Sequence, residues 1–329
     1  MATLPVQKRR SRSPMESEDM IAGWVFLAPA FIIFATFIFG PILYSLWVSF
    51  YNRNSFGTVN EFVGIQNYRQ ILNSPDFWNA FRNTAWFSLG VVPTQTAIGL
   101  FLAVMANRKI RGKTFFRTAF YFPSISSSVV ISLIFLWIYQ RNGLVDIFFN
   151  SLNIPLPNPV WMQNPKGVIE LLVGAFGVDS VPMWLRGPSV ALLSIMMLNI
   201  WTTAGTMMVI FLAGLQDIPT DVYEAASLDG ASRFRQFRDI TVPLLRPVIL
   251  FVVTLGTIGT FQVFDQIFVM TSDGGPARTT TTLVYLIYQE GFKFGRGLGY
   301  ASALAVILFC IIFVLFLIQR YFLGQTKDR

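Results

Sequence analysis

Six apolar stretches of this chain run for 18 or more positions without a charged residue, and that leaves few folds open. They lie between Asp19 and Arg53, Arg82 and Arg108, Arg117 and Arg141, Arg186 and Asp217, Arg246 and Asp265, and Arg296 and Arg320. A helix needs about 20 mostly apolar residues to cross a hydrocarbon core of about 30 Å. Five of the stretches meet that length. The one after Arg246 has 18 uncharged residues and continues apolar to Met270 if Asp265 is tolerated. A further uncharged interval, 147–165, reads as a loop, because Asn150, Asn153, Pro155, Pro157, Asn158, Pro159 and Asn164 interrupt it. The expectation is an all-α polytopic membrane protein with six transmembrane helices over 20–322, between a basic tail at 1–19 and a short tail at 323–329.

Composition agrees and removes several function classes. Apolar residues make up 53% of the 329 and charged residues 13%, against about 25% charged in an ordinary soluble domain. The formal charge of +8 does not point to nucleic acid, because the basic residues sit in short clusters between apolar runs. Cys310 is the one cysteine and there is no histidine, so neither a disulfide framework nor a metal site is expected, and catalysis in this chain is disfavoured. The first apolar stretch, Met20 to Phe50, follows Lys8-Arg9-Arg10-Ser11-Arg12 in the manner of a secretory leader. It is far longer than a leader core of about 7–15 residues and no small-x-small cleavage site follows, so a retained anchor is expected.

The distribution of Lys and Arg gives an orientation. With the N-terminus inside, the inner segments are the N-terminal tail, 107–117, 216–246 and the C-terminal tail, and they hold 16 of the 25 basic residues. The positive-inside bias therefore places both termini and the loop at 216–246 in the cytoplasm.

That loop carries the most specific motif. Glu224-Ala225-Ala226-Ser227-Leu228-Asp229-Gly230 is followed by nine residues and then Ile240-Thr241-Val242-Pro243. Thr220 is placed to cap a short helix over Val222–Leu228, Gly230 to end it in a left-handed turn, and Ser232 to cap a second helix with Phe234 and Phe237 on its apolar face. The spacing resembles the E-A-A-x-x-x-G-(x9)-I-x-L-P loop of binding-protein-dependent ABC import permeases, with Val242 at the usual Leu. The resemblance implies that an ATPase subunit docks on Glu224, Ala225, Ala226, Asp229, Gly230, Ile240 and Pro243, through a cytoplasmic helix-turn-helix that transmits its movement to the spans.

A second pattern is Phe261-Gln262-Val263-Phe264-Asp265, then Gly274-Gly275-Pro276, Thr279–Thr282 and Gly299-Tyr300-Ala301-Ser302-Ala303. Phe62-Val63-Gly64-Ile65-Gln66-Asn67-Tyr68 and Asn83-Thr84 precede it. Together they resemble the carbohydrate-importer permeases of the maltose and glycerol-3-phosphate type, on the side of the maltose F-like member, without that protein's extra N-terminal spans and large outer domain. The resemblance implies an inner-membrane permease, paired with a second related permease, driven by a dimer of ATPase subunits and supplied by an extracytoplasmic solute-binding protein. No G-x-x-x-x-G-K-[S/T] loop is present, so this chain needs no cofactor of its own and ATP with Mg belongs to the partner ATPase. The irregular outer segment at 140–189 suits a landing surface for the receptor.

The solute path is less legible. Asp265 is the one carboxylate within an apolar run; with Gln262 it either lines the path or braces the outer loop that begins at Thr271, and the short distance to Thr271 favours the brace. Asn199 and Thr202 in the fourth stretch are path candidates too, although such groups commonly serve helix packing in lipid. A permease for a non-carbohydrate solute is the principal alternative, and a channel or membrane enzyme a more distant one.

Overall fold

The computed structural model describes residues 14–54, 56, 58–108, 112–153, 161–174, 176–177, 181–293 and 296–324. Helix α1 (Pro14–Phe34) runs through a π-turn at Ala35–Phe39 into α2 (Gly40–Val48). Pro41 has no N–H to give to the turn before it, and the wider turn absorbs that break. Strands β1 (Tyr51–Arg53) and β2 (Asn60–Phe62) form an antiparallel pair with Asn52 opposite Glu61. Helices α3 (Gln66–Leu72), α4 (Pro75–Asn107), α5 (Lys113–Ile125), α6 (Ser128–Ile138), α7 (Leu144–Ser151) and α8 (Val168–Gly174) follow. Then come α9 (Val190–Gln216), α10 (Thr220–Leu228), α11 (Arg233–Gln236), α12 (Val242–Leu244), α13 (Arg246–Phe261), α14 (Asp265–Met270), α15 (Leu283–Tyr288) and α16 (Leu298–Gly324).

Five spans match the uncharged intervals: Ala22–Val48, Pro75–Asn107, Val190–Gln216, Arg246–Met270 and Leu298–Phe322. The third expected crossing differs from a simple helix. It is the pair α5 and α6, bent by 96° at their junction. Ser126 and Ser127 lie in extended backbone between the two, and Pro123 removes a helical donor just ahead of the break.

The bent pair still returns the chain across the bundle. Helices α4 and α9 are parallel: Phe87 and Val91 cluster with Leu192, Ile195 and Met196, whereas Ala103 and Ala106 cluster with Met207, Phe211 and Leu215. Between them Arg117 donates to the Ala106 carbonyl (3.1 Å), Ser124 to the Thr202 carbonyl (2.6 Å) and Tyr139 to the Ser194 carbonyl (3.1 Å). The first contact lies near the C-terminal end of α4, the second at the middle of α9 and the third near the N-terminal end of α9, so the chain runs back along the pair as α5 and α6 proceed. Six crossings result, as the charge pattern predicts.

Where α5 meets α9, the chains approach closely because residue 205 lacks a side chain. An ideal Cβ on Gly205 would lie 2.2 Å from the Phe120 carbonyl oxygen. Span Ala22–Val48 is the exception to this packing, with none of its most apolar window buried inside the chain. Its C-terminal part alone is held: α2 packs on α16, and Asn67 donates to the carbonyls of Ser49 (2.8 Å) and Tyr51 (3.0 Å) just beyond it.

The interval 147–165 does not cross the bundle. Helix α7 occupies its start, Trp161–Gln163 forms a single 3-10 turn, and residues 154–160 lie outside the described ones. Asp146 of α7, which no motif singles out, is buried and accepts from Trp161 Nε1 (2.9 Å) and the Asn142 amide (2.9 Å).

Candidate functional site

Segment 217–245 hangs from the C-terminal end of α9 and leads straight into α13. Helix α10 opens at Thr220 behind Pro219. Thr220 is thus the first helical residue and makes no capping bond, contrary to the sequence expectation; the proline ahead of it already fixes the entry angle. The end of α10 is as expected. Gly230 adopts φ +76°, its N–H reaches the Ser227 carbonyl (3.1 Å), and the N–H of Ala231 reaches the Ala226 carbonyl (2.9 Å). This pair of bonds is a Schellman turn, which requires a left-handed residue at the position of Gly230. Ser232 then caps α11 by accepting from the Arg235 amide (3.3 Å).

Two side chains that the motif spacing does not reveal lock the loop. Gln236 donates to Ser227 Oγ (2.9 Å) and to the Ala231 carbonyl (3.1 Å), which ties α11 to α10. Tyr223 and Thr241 share a hydroxyl–hydroxyl bond (2.9 Å) between α10 and the π-turn at Phe237–Thr241. At the surface Arg238, chiefly through its hydrogen bond, holds the Asp239 carboxyl below its ordinary range.

Glu224, Ala225, Asp229 and Gly230 are exposed, Ala226 and Ile240 are half-buried, and Pro243 lies exposed within α12. The expected apolar face of α11 is divided. Phe237 turns partly inward, while Phe234 is 71% exposed and Leu228 of α10 90%. The loop therefore presents the carboxylates of Glu224 and Asp229 together with the large apolar side chains of Leu228 and Phe234, on a scaffold braced by its own hydrogen bonds.

The solute-path candidates divide into two groups. Gln262 and Asp265 are exposed where α13 passes into α14, and Asp265 begins α14. Asn199 and Thr202 belong to a polar seam in the bundle. Asn199 Nδ2 donates to Gln266 Oε1 (3.0 Å), joining α9 to α14, and Thr202 Oγ1 donates to the Asn199 carbonyl (3.0 Å). One turn along, Thr203 Oγ1 reaches Gln95 Oε1 of α4 (2.6 Å). Gln266 was not separable by sequence from the other amides; its burial next to Asn199 identifies it. No group of three or more His, Cys, Asp or Glu able to hold a metal occurs among the described residues.

Comparison with known proteins agrees with this architecture. Residues 95–326 match the family described as "Binding-protein-dependent transport system inner membrane component". The lactose transport system permease protein LacF of Rhizobium radiobacter is 34% identical over 96% of this chain and 99% of its own length. The sulfoquinovosyl glycerol transport system permease protein SmoG of Agrobacterium fabrum is 34% identical over 89% and 87%. A chain from the crystal structure of a bacterial ABC transporter involved in the import of the acidic polysaccharide alginate has the same fold, with a TM-score of 0.73 over 95% of this chain and 99% of that one, at 19% identity. The six crossings, the loop hung from α9 and the family match over most of the chain converge: this protein belongs to the binding-protein-dependent transport system inner membrane components, the permease subunits of ABC importers.

Proposed function

We propose that this chain carries a sugar or sugar-like solute into the cell by alternating access, as one of two related permeases in an ATP-driven importer. Exposed Leu228 and Phe234 on a self-braced loop are the observation that carries the reading. Large apolar side chains held rigidly in water call for a partner surface. The partner is the ATPase dimer, which binds ATP and Mg and does the hydrolysis; the permease itself is not catalytic. Glu224, Ala225, Ala226, Asp229, Gly230, Ile240 and Pro243 form the docking surface within 216–246. Both termini and this loop face the cytoplasm, in keeping with 16 of the 25 basic residues on that side. A solute-binding protein delivers the cargo at the opposite face, and Gln262, Asp265, Asn199 and Thr202 line or brace the path. A carbohydrate cargo is supported by the lactose and sulfoquinovosyl glycerol permeases among the relatives.

The test is retrieval of the tagged chain from its native membranes in mild detergent, with ATP hydrolysis measured on the eluate. Co-elution of an ATPase and a second multi-span chain is expected, together with loss of solute uptake in Glu224→Ala and Gly230→Pro variants that still reach the membrane. Undiminished uptake by Gly230→Pro would refute the docking role of the loop.

A further inference from the structure

At the end of the bundle opposite the Glu224 loop, the start of α4 meets two outer segments around a cleft of about 340 Å³. Its charged lining residues are Arg82 of α4, Lys166, Arg186 and Glu170, which is three cations against one carboxylate. Asn79, Ser189 and Thr279 add polar atoms, and Met183 is the one large apolar side chain.

The cations are positioned by rigid backbone. Gly167 and Ser189 form an antiparallel bridge, flanked by Val190 N–H to the Lys166 carbonyl (3.0 Å) and Val168 N–H to the Pro188 carbonyl (2.9 Å). Ile169 and Glu170 both donate their amides to the Arg186 carbonyl (3.1 and 3.2 Å). Lys166 and Arg186 therefore stand on one clamped unit, and Arg82 lines the same cleft from the helix.

Neutralisation within the chain is incomplete. Arg186 reaches Glu170 only at 3.9 Å. Arg82 donates to Asn79 Oδ1 (2.7 Å) and forms no ion pair among the described residues. Like charges gathered across a partly enclosed cleft cost stability unless an anion sits between them. Arginine presents a planar fork of donors suited to a carboxylate.

We infer that this cleft binds a single carboxylate-bearing sugar unit. Its volume falls at the small end of the range for ligand pockets, about 300–1,000 Å³. That is ample for a sugar ring and far too large for a bare inorganic anion to fill. The polar lining suits a hydroxylated ligand, and the excess of positive charge, reduced but not reversed by one carboxylate, suits an acidic one. The site is separate from the docking loop and from the Asn199 seam.

The test is calorimetric titration of the full chain in mild detergent with galacturonate, galactose and inorganic phosphate, and with phosphatidylglycerol micelles as a lipid source of the same charge. Galacturonate should bind and galactose should not. The affinity should fall at least about tenfold in Arg82→Gln and in the exposed Lys166→Gln, the scale of one charge-assisted hydrogen bond. Both variants should elute at the wild-type volume. No binding of galacturonate, or binding equal in the variants, overturns the inference. So does phosphate or phosphatidylglycerol binding as tightly as galacturonate, since a general anion site would then explain the charges. The titration needs neither ATP nor a partner subunit, so its outcome is independent of the importer reading.

Discussion

Asn83, in the first third of α4, donates its side-chain amide to the backbone carbonyl of Arg278, 195 residues later, at 3.1 Å. The same amide reaches the Thr281 carbonyl (3.0 Å), and Thr84 Oγ1 accepts from the Leu283 amide (3.0 Å). Ala277 and Arg278 both hold left-handed backbone, at φ +49° and +57°, a conformation that costs a residue with a side chain about 1–2 kcal/mol. The Asn83 clamp is what offsets that cost.

Asn83→Ala should lower the melting temperature of the detergent-purified protein, since stranding a buried hydrogen-bonding group costs about 1–3 kcal/mol. Asn79, half-buried, also donates to the Arg278 carbonyl (2.9 Å), and Asn79→Ala should cost less. Equal losses for the two would show that burial of the amide is not the source of the effect.

Gly230 separates backbone from side-chain effects, because a Cβ there would meet nothing within 4 Å. Gly230→Ala should weaken retention of the ATPase partner through backbone strain of about 1–2 kcal/mol, and Gly230→Asn should weaken it less, since Asn tolerates the left-handed region. Identical retention by glycine, alanine and asparagine would rule out a requirement for the Schellman turn.

The Gln95–Thr203 bond invites a double-mutant cycle. Thr203→Val strands the Oε1 of Gln95, a residue only 1% exposed. The coupling with Gln95→Leu should be about 0.6–1.7 kcal/mol, the scale of hydrogen bonds between membrane helices. Additive losses would place the two groups in separate environments.

Gly205→Ala should drive α5 away from α9, because the new methyl group would strike backbone, the Phe120 carbonyl, and not a movable side chain. A loss of about 1–3 kcal/mol, typical of overpacking, should appear as lower thermal stability. A cysteine pair across the α5–α9 contact that cross-links as well in the variant as in the parent would contradict it.

Glu290 gives a pH signature. Burial, opposed by Arg296 at 3.6 Å, raises its pKa above the ordinary 4.5. A carboxyl raised on folding takes up a proton more readily in the folded chain, so its contribution is full below the ordinary value and is lost as pH rises through the raised one. Thermal stability of the parent should fall across that window relative to Glu290→Gln. Parallel pH profiles for the two proteins would contradict this.

Long-range charge bookkeeping made most of the fold legible. The absence of charge over about 20 residues is a local property that lipid enforces, so the spans could be read one at a time. The Schellman turn at Gly230 and the cap at Ser232 were legible for the same reason, each being decided within a few residues. The bend between α5 and α6 was not, since serines and a proline occur in straight membrane helices too. Gln236, Gln266 and the partner of Asn83 were hidden because each depends on a residue brought close only by the fold.

The span Ala22–Val48 packs on α16 along its last turns, and its most apolar window borders only what surrounds the chain. Its backbone hydrogen bonds close within itself, so it needs no other part of the protein to exist as a helix in lipid. It is the first described span to leave the ribosome, and it can be inserted and complete before α4 has been made. Asn67, the side chain that fastens it, arrives 19 residues after Val48. Assembly thus begins with an autonomous helix, which gains its first tertiary tether at Ser49 only afterwards and its packing against α16 last of all.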